Sequence, residues 1–119
     1  MHAIYHIATV VDWEQASRDG TYTTSTRDRT LAEQGFIHGS IAAQVAPVAN
    51  MVYRGLSDLV LLVIATERVT AEIRHELVPG WETPFPHIYG PLNIDAVVCV
   101  LPFTPEPDGS FTFSEPSAQ

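Results

Sequence analysis

The run LVLLVIA, residues 59–65, decides how the rest of the chain is read. Seven unbroken apolar residues suit one strand and fall far short of a bilayer span. A strand without polar alternation is covered on both faces. LVLLVIA is therefore expected at the centre of a sheet, with chain packed above and below it. AVVCVL at 96–101 reads the same way, as a second central strand, and that makes Cys99 a buried thiol acting as a small hydrophobe.

Outward from these runs the pattern is mixed. AIYHIAT at 3–9 alternates, with Ile4, His6 and Ala8 on one face, and predicts a strand. DWEQASRDG follows, with Asp12 as expected helix cap and Gly20 as stop. TYTTSTRDR is polar and β-branched, and reads as an edge strand or a loop. TLAEQG gives one helical turn closed by Gly35, and FIH a short extended piece. Ser40 is the expected cap of a helix reaching Tyr53, with Pro47 kinking or breaking it. AEIRHEL alternates, setting Glu72, Arg74 and Glu76 opposite Ile73, His75 and Leu77. Four prolines in PGWETPFPHIYGP, 79–91, point to an ordered loop rather than regular structure. FTF at 111–113 reads as an edge strand, and 114–119 as a disordered tail. Early helices and late strands without βαβ alternation predict an α+β fold: a single domain over 1–113, with two small mixed or antiparallel sheets and two to three short helices.

Composition narrows the partners. The net charge is −8, lysine is absent, and the six basic residues are all arginine. No basic stripe exists, which argues against nucleic acid and against an anionic membrane surface. The N-terminus lacks the charged and cleavage-site pattern of a secretory signal, so a cytoplasmic location is expected. A small-molecule ligand is the expected partner, and the oligomeric state is left open.

Three histidines stand in apolar or rigid segments: His6 in AIYHIA, His38 in GFIHGS and His87 in FPHIYGPL. Each is either a satisfied core residue or one wall of a shared pocket. His38 precedes the expected helix start, where free N–H groups beside Gly39 and Ser40 make either a plain cap or an anion cradle. No histidine pair has metal-site spacing, so no metal is assigned. Ser40 lacks the G-x-S-x-G elbow of a nucleophilic serine. Glu76 is either an ion-pair partner of Arg74 or an acid–base carboxylate. His2 and His75 are read as incidental.

The segments IYHIATVVDWEQASRDGTY, EQGFIHGS, QVAPVANMVYRG, DLVLLVIA and FPHIYGPLNIDAVVCVLPF together resemble the bacterial family known as domain of unknown function 952. Gly39 stands where many relatives are expected to carry cysteine, so a thiol function there is not open to this chain. The resemblance implies a fold similar to ADP-ribosyltransferases. It places His6 where those enzymes hold the ribose or pyrophosphate of NAD, matches His38 to a second motif histidine, and makes Glu76 the nearest acceptor-activating carboxylate. On that reading His6, His38 and Glu76 are catalytic, Gly39, Ser40, His87 and Tyr89 bind the ligand, and NAD is the candidate cofactor. The alternative is a non-catalytic metabolite-binding module or a structural or interaction protein.

Overall fold

The computed structural model describes residues 2–115. Along the chain run β1 (Ala3–Thr9), α1 (Val10–Asp19), β2 (Thr21–Tyr22), β3 (Thr24–Thr26), β4 (Arg29–Thr30), α2 (Leu31–Gln34) and β5 (Ile37–His38). The second half holds α3 (Ala42–Val52), β6 (Leu59–Ala65), β7 (Glu72–Glu76), β8 (Phe85–Tyr89), β9 (Leu92–Asn93) and β10 (Val97–Phe103), with 3-10 turns at Thr66–Arg68 and Ile94–Ala96. This is a single α+β domain. Two three-stranded sheets, ordered β1-β6-β10 and β5-β8-β7, are accompanied by the short pairs β2-β9 and β3-β4. Every pairing is antiparallel.

LVLLVIA is the central strand, as its composition predicts, flanked by β1 and β10. The two faces of this sheet feed two cores. Tyr5, Ile7, Leu59, Leu61 and Val63 pack with α3 residues Val45, Val48 and Ala49, and with Phe85, Phe103 and Phe111. Ile4, Ala8, Leu62 and Ile64 pack with Ala16, Tyr22, Ile37, Ile88 and Leu92. Fully burying one such aliphatic side chain contributes roughly 1.5–3 kcal/mol, so a strand buried on both faces is the main anchor of the domain.

AVVCVL differs from its expected role. β10 pairs with β6 alone and forms the sheet edge, with its register shifted between Val97 and Cys99. Val98, Cys99 and Val100 are exposed, so Cys99 is a surface thiol and not a buried one. An apolar run reports strand character but not its position in the sheet.

The helices follow their caps. Thr9, not Asp12, caps α1, and its hydroxyl accepts from the Asp12 N–H. Gly20 and Gly35 close α1 and α2 in the left-handed region that glycine favours, as expected. Ile41, not Ser40, precedes α3, and Pro47 does not divide it. TYTTSTRDR becomes β2 and the β3-β4 hairpin, whose turn holds Asp28 at φ 62°. FTF is not a strand: Phe111 is buried and stacks on Phe103 at 4.8 Å. Within the expected tail, Glu115 accepts a hydrogen bond from the Tyr5 hydroxyl at 3.3 Å, while 116–119 lie outside the described residues.

The largest correction lies in PGWETPFPHIYGP. Its second half is β8, the middle strand of the second sheet, with Pro86 inside it. Gly39 lies opposite Pro86, continuing the register Ile37↔Ile88 and His38↔His87. A regular pair at that point exchanges two backbone bonds. Pro86 has no N–H, so the Gly39 N–H donates to the Pro86 carbonyl at 2.9 Å without a return bond, and β5 ends there. The approach is close: a Cβ on Gly39 would lie 2.5 Å from the Pro86 oxygen. One residue on, Ser40 and Tyr5 exchange two backbone bonds of 2.8 Å and tie the second sheet to β1.

Candidate functional site

That junction brings the three histidines together, in three different environments. His6, on β1, is 3 % exposed. Its Nδ1 lies 2.6 Å from the His38 carbonyl oxygen, which can only accept, so Nδ1 carries the proton. Its Nε2 then accepts from the Tyr22 hydroxyl at 2.9 Å. Burial pulls its pKa down to about 4, against the opposing effects of the His38 carbonyl and Asp12. Burial likewise raises the pKa of Tyr22. Both ring nitrogens of His6 are engaged, so His6 ties β1 to β2 and β5 and has no free atom for a ribose or phosphate.

His87, on β8, is equally buried. Its Nδ1 lies 2.8 Å from Glu76 Oε1, and the same oxygen accepts from the Tyr89 hydroxyl at 2.6 Å. Phe36 stacks on the His87 ring at 4.0 Å and 16°. Its Nε2 is enclosed and has no hydrogen-bond partner. The hydrogen bonds from Tyr89 and then His87 hold the Glu76 carboxyl below its ordinary range, and Glu76 in turn raises Tyr89. Arg74 pairs with Glu72 at 3.1 Å, not with Glu76, and lies 4.2 Å over the Tyr89 ring. The acid–base alternative for Glu76 thus has the right neighbours, and the surface ion pair belongs to Glu72.

His38 stands between them. Its ring centroid is 5.3 Å from that of His87 and 4.8 Å from that of Phe85, and no described residue hydrogen-bonds its ring nitrogens. Burial, with His6 and His87 adding, pulls its pKa down to about 3. Gly39 and Ser40 do not form the expected anion cradle, because both amides are engaged in the backbone bonds to Pro86 and Tyr5.

Two cavities meet at this cluster. A cleft of about 430 Å³ is lined by Phe36, His38, Val78 and His87, together with Thr26, Arg29 and Gln34. A smaller chamber of about 130 Å³ lies beneath α3 and shares the walls Thr26 and His38. Sequence reasoning missed Tyr22, Ser25, Arg29 and Phe36, all from segments without an apolar period. The one available signal was charge: Arg29 is one of six cations, and its side chain makes no ion pair or hydrogen bond with the described residues. Among the described residues no cluster of three or more His, Cys, Asp or Glu could hold a metal. No helix among them is long and apolar enough to cross a membrane.

A family model described as "Protein of unknown function (DUF952)" matches residues 7–100. The chain belongs to this family. The DUF952 match runs from β1 into β10 and takes in His38, Glu76, His87 and Tyr89, with His6 one residue before its start. Two crystal structures of CC0527 from Caulobacter crescentus, one of them a double mutant, superimpose with a TM-score of 0.81 at 32 % identity, covering 93 % of this chain and 94 % of that one. The solution NMR structure of CC0527 gives a TM-score of 0.76 at 33 % identity, over 92 % of this chain and 91 % of that one. A search of curated proteins finds no match.

Proposed function

We propose that this DUF952 protein binds a small phosphorylated or carboxylated ligand, NAD or a nucleotide among the candidates, in the cleft beside Arg29, and that the Glu76–His87 pair exchanges a proton with it. One observation carries this reading: a histidine 3 % exposed, oriented by a carboxylate through Nδ1, with no partner at Nε2. A buried polar atom left unpaired costs about 1–3 kcal/mol. A ligand donor or acceptor at Nε2 recovers that cost. A carboxylate behind a histidine fixes its tautomer and stabilises its charged form, the arrangement acid–base chemistry requires. The likeness to ADP-ribosyltransferases expected from the sequence is part of this proposal: on it the ligand is nucleotide-like, and Tyr89 and Glu76 are the groups that would face a developing positive charge. His6 leaves the catalytic set, and Ser40 keeps only its hydroxyl as a ligand contact.

The enclosure of Nε2 favours a second reading, a binding module that holds the same ligand without turnover. NMR titration of the histidine ring signals with NAD and with ADP-ribose tests both. Saturable shifts of His38 and His87, with His2, His6 and His75 unmoved, are expected. No shift of His38 or His87 at millimolar ligand would remove nucleotides as the ligand. Binding without any product on prolonged incubation would establish the module reading.

A further inference from the structure

Two buried side-chain polar atoms among the described residues lack a partner, His87 Nε2 and Ser25 Oγ, and their residues line one cavity each: His87 the larger cleft, and Ser25, 0 % exposed, the smaller chamber. His38 lines both cavities, and its ring nitrogens have no protein partner among the described residues. Resting on the proton-exchange reading of the cleft, we infer that the ligand is two-ended: a single aromatic ring seated in the chamber against Ser25, joined by a short link past His38 to an anionic group in the cleft beside Arg29.

The chamber's size and lining set the ring. Its volume is about 130 Å³, and apolar protein cavities of about 150 Å³ hold benzene. Ile7, Val48, Val52 and Tyr53 supply apolar walls. Met51, 70 % exposed, stands at the mouth, so a ring enters without unfolding the core. His6 offers nothing here because both of its nitrogens are engaged. The Tyr53 hydroxyl already accepts from the Arg27 N–H. Ser25 Oγ therefore remains to meet one hydrogen-bonding atom on the ring. At the other end Arg29 is the cation of the cleft lining and is free of ion pairs with the described residues. Buried polar groups left unmatched on both sides of one shared wall are explained by a single ligand that touches both.

The test compares inorganic phosphate, phenol and phenyl phosphate by methyl and side-chain NMR on the full chain. Phenol is expected to shift the Val48 and Val52 methyls, phosphate the Arg29 guanidinium and His87 signals, and phenyl phosphate all four. Phenyl phosphate is expected to bind at least about tenfold tighter than inorganic phosphate, the gain of a buried ring. Val48→Phe fills the chamber and Met51→Trp covers its mouth from an exposed position that cannot unfold the core. Each should abolish the tenfold gain and leave phosphate affinity unchanged. Equal affinity for phenyl phosphate and phosphate, or a gain that survives both variants, would overturn the inference while leaving the cleft intact. Phenol shifts at Val48 and Val52 with phosphate silent at Arg29 and His87 would overturn the cleft reading and the two-ended ligand with it.

Discussion

Lowering the pH should unfold this protein through two histidines before its carboxylates titrate. His6 and His38 have folded pKa values of about 4 and about 3, both below the ordinary 6.5, because burial penalises the charged ring. The unfolded chain therefore takes up these protons first. Stability is complete above pH 6.5, falls with pH below it, and continues to fall until each folded value is passed. Each proton contributes about 1.4 kcal/mol per pH unit, so the two together remove about 5 kcal/mol between pH 6.5 and 4.5. That loss rivals the total stability of a small domain, about 5–15 kcal/mol. Carboxylates held low by their partners, such as Glu76 and Asp108, add a loss of the same sign only at lower pH. Urea unfolding followed by the fluorescence of Trp13 and Trp81 at a series of pH values measures the slope. His6→Gln keeps a donor and an acceptor but does not titrate, so it should remove about half of the slope. A His6 ring signal titrating near 6.5 in the folded protein, or an unfolding free energy flat from pH 7 to 5, would refute the account of His6 as a neutral tie.

Three further outcomes are expected. Tyr22→Phe removes the hydroxyl that donates to His6 Nε2 and should destabilise the fold by about 1–3 kcal/mol in urea, without shifting ligand signals at His87. Gly39→Ala places a Cβ 2.5 Å from the Pro86 oxygen; the strain and the weakened amide bond should together cost about 2–4 kcal/mol, visible as a lowered Tm. Cys99 should react completely with Ellman's reagent in native buffer at a rate near that of a free thiol; a thiol silent until urea is added would contradict its place on the sheet edge.

Much of the framework is legible in the sequence, and its failures have identifiable causes. LVLLVIA is read correctly because an unbroken apolar run of strand length suits a strand covered on both faces, although the same pattern in β10 misleads. Gly35 and FIH are equally local and equally readable. β8 is missed because Pro86 argues against a central strand, yet its absent N–H falls opposite Gly39, where the β5 ladder ends. The anion cradle is misread for a related reason: the Gly39 and Ser40 amides look free beside a helix start, but their partners are long-range in sequence. Spacing leaves Glu76 open between an ion pair with Arg74 and acid–base work, and only the β7–β8 register delivers it to His87 and Tyr89. Ser25 gives no warning of its burial, since a serine among threonines carries no apolar period.

His6 and His87 make the deciding contrast. His6 lies on an outer strand and His87 on a middle one, yet both are 3 % exposed, so neither burial nor residue type separates scaffold from site. Hydrogen bonding does. His6 presents a donor to a carbonyl that must accept and an acceptor to a hydroxyl that can donate, so every polar atom of its ring is matched inside the fold. Adding a ligand there would break two bonds to make one. His87 is matched on one side only: Glu76 orients the ring through Nδ1, and the fold leaves Nε2 unmatched at comparable burial. Folding alone gains nothing from such an atom, because a leucine or phenylalanine would fill the position without the cost of an unpaired polar atom. A carboxylate that orients a ring whose other nitrogen is unmatched makes sense when something outside the chain completes the pair. That asymmetry is the argument for the proposed site: β1 holds a histidine fully matched by the fold, and the Glu76–His87 face of the second sheet holds one that is not.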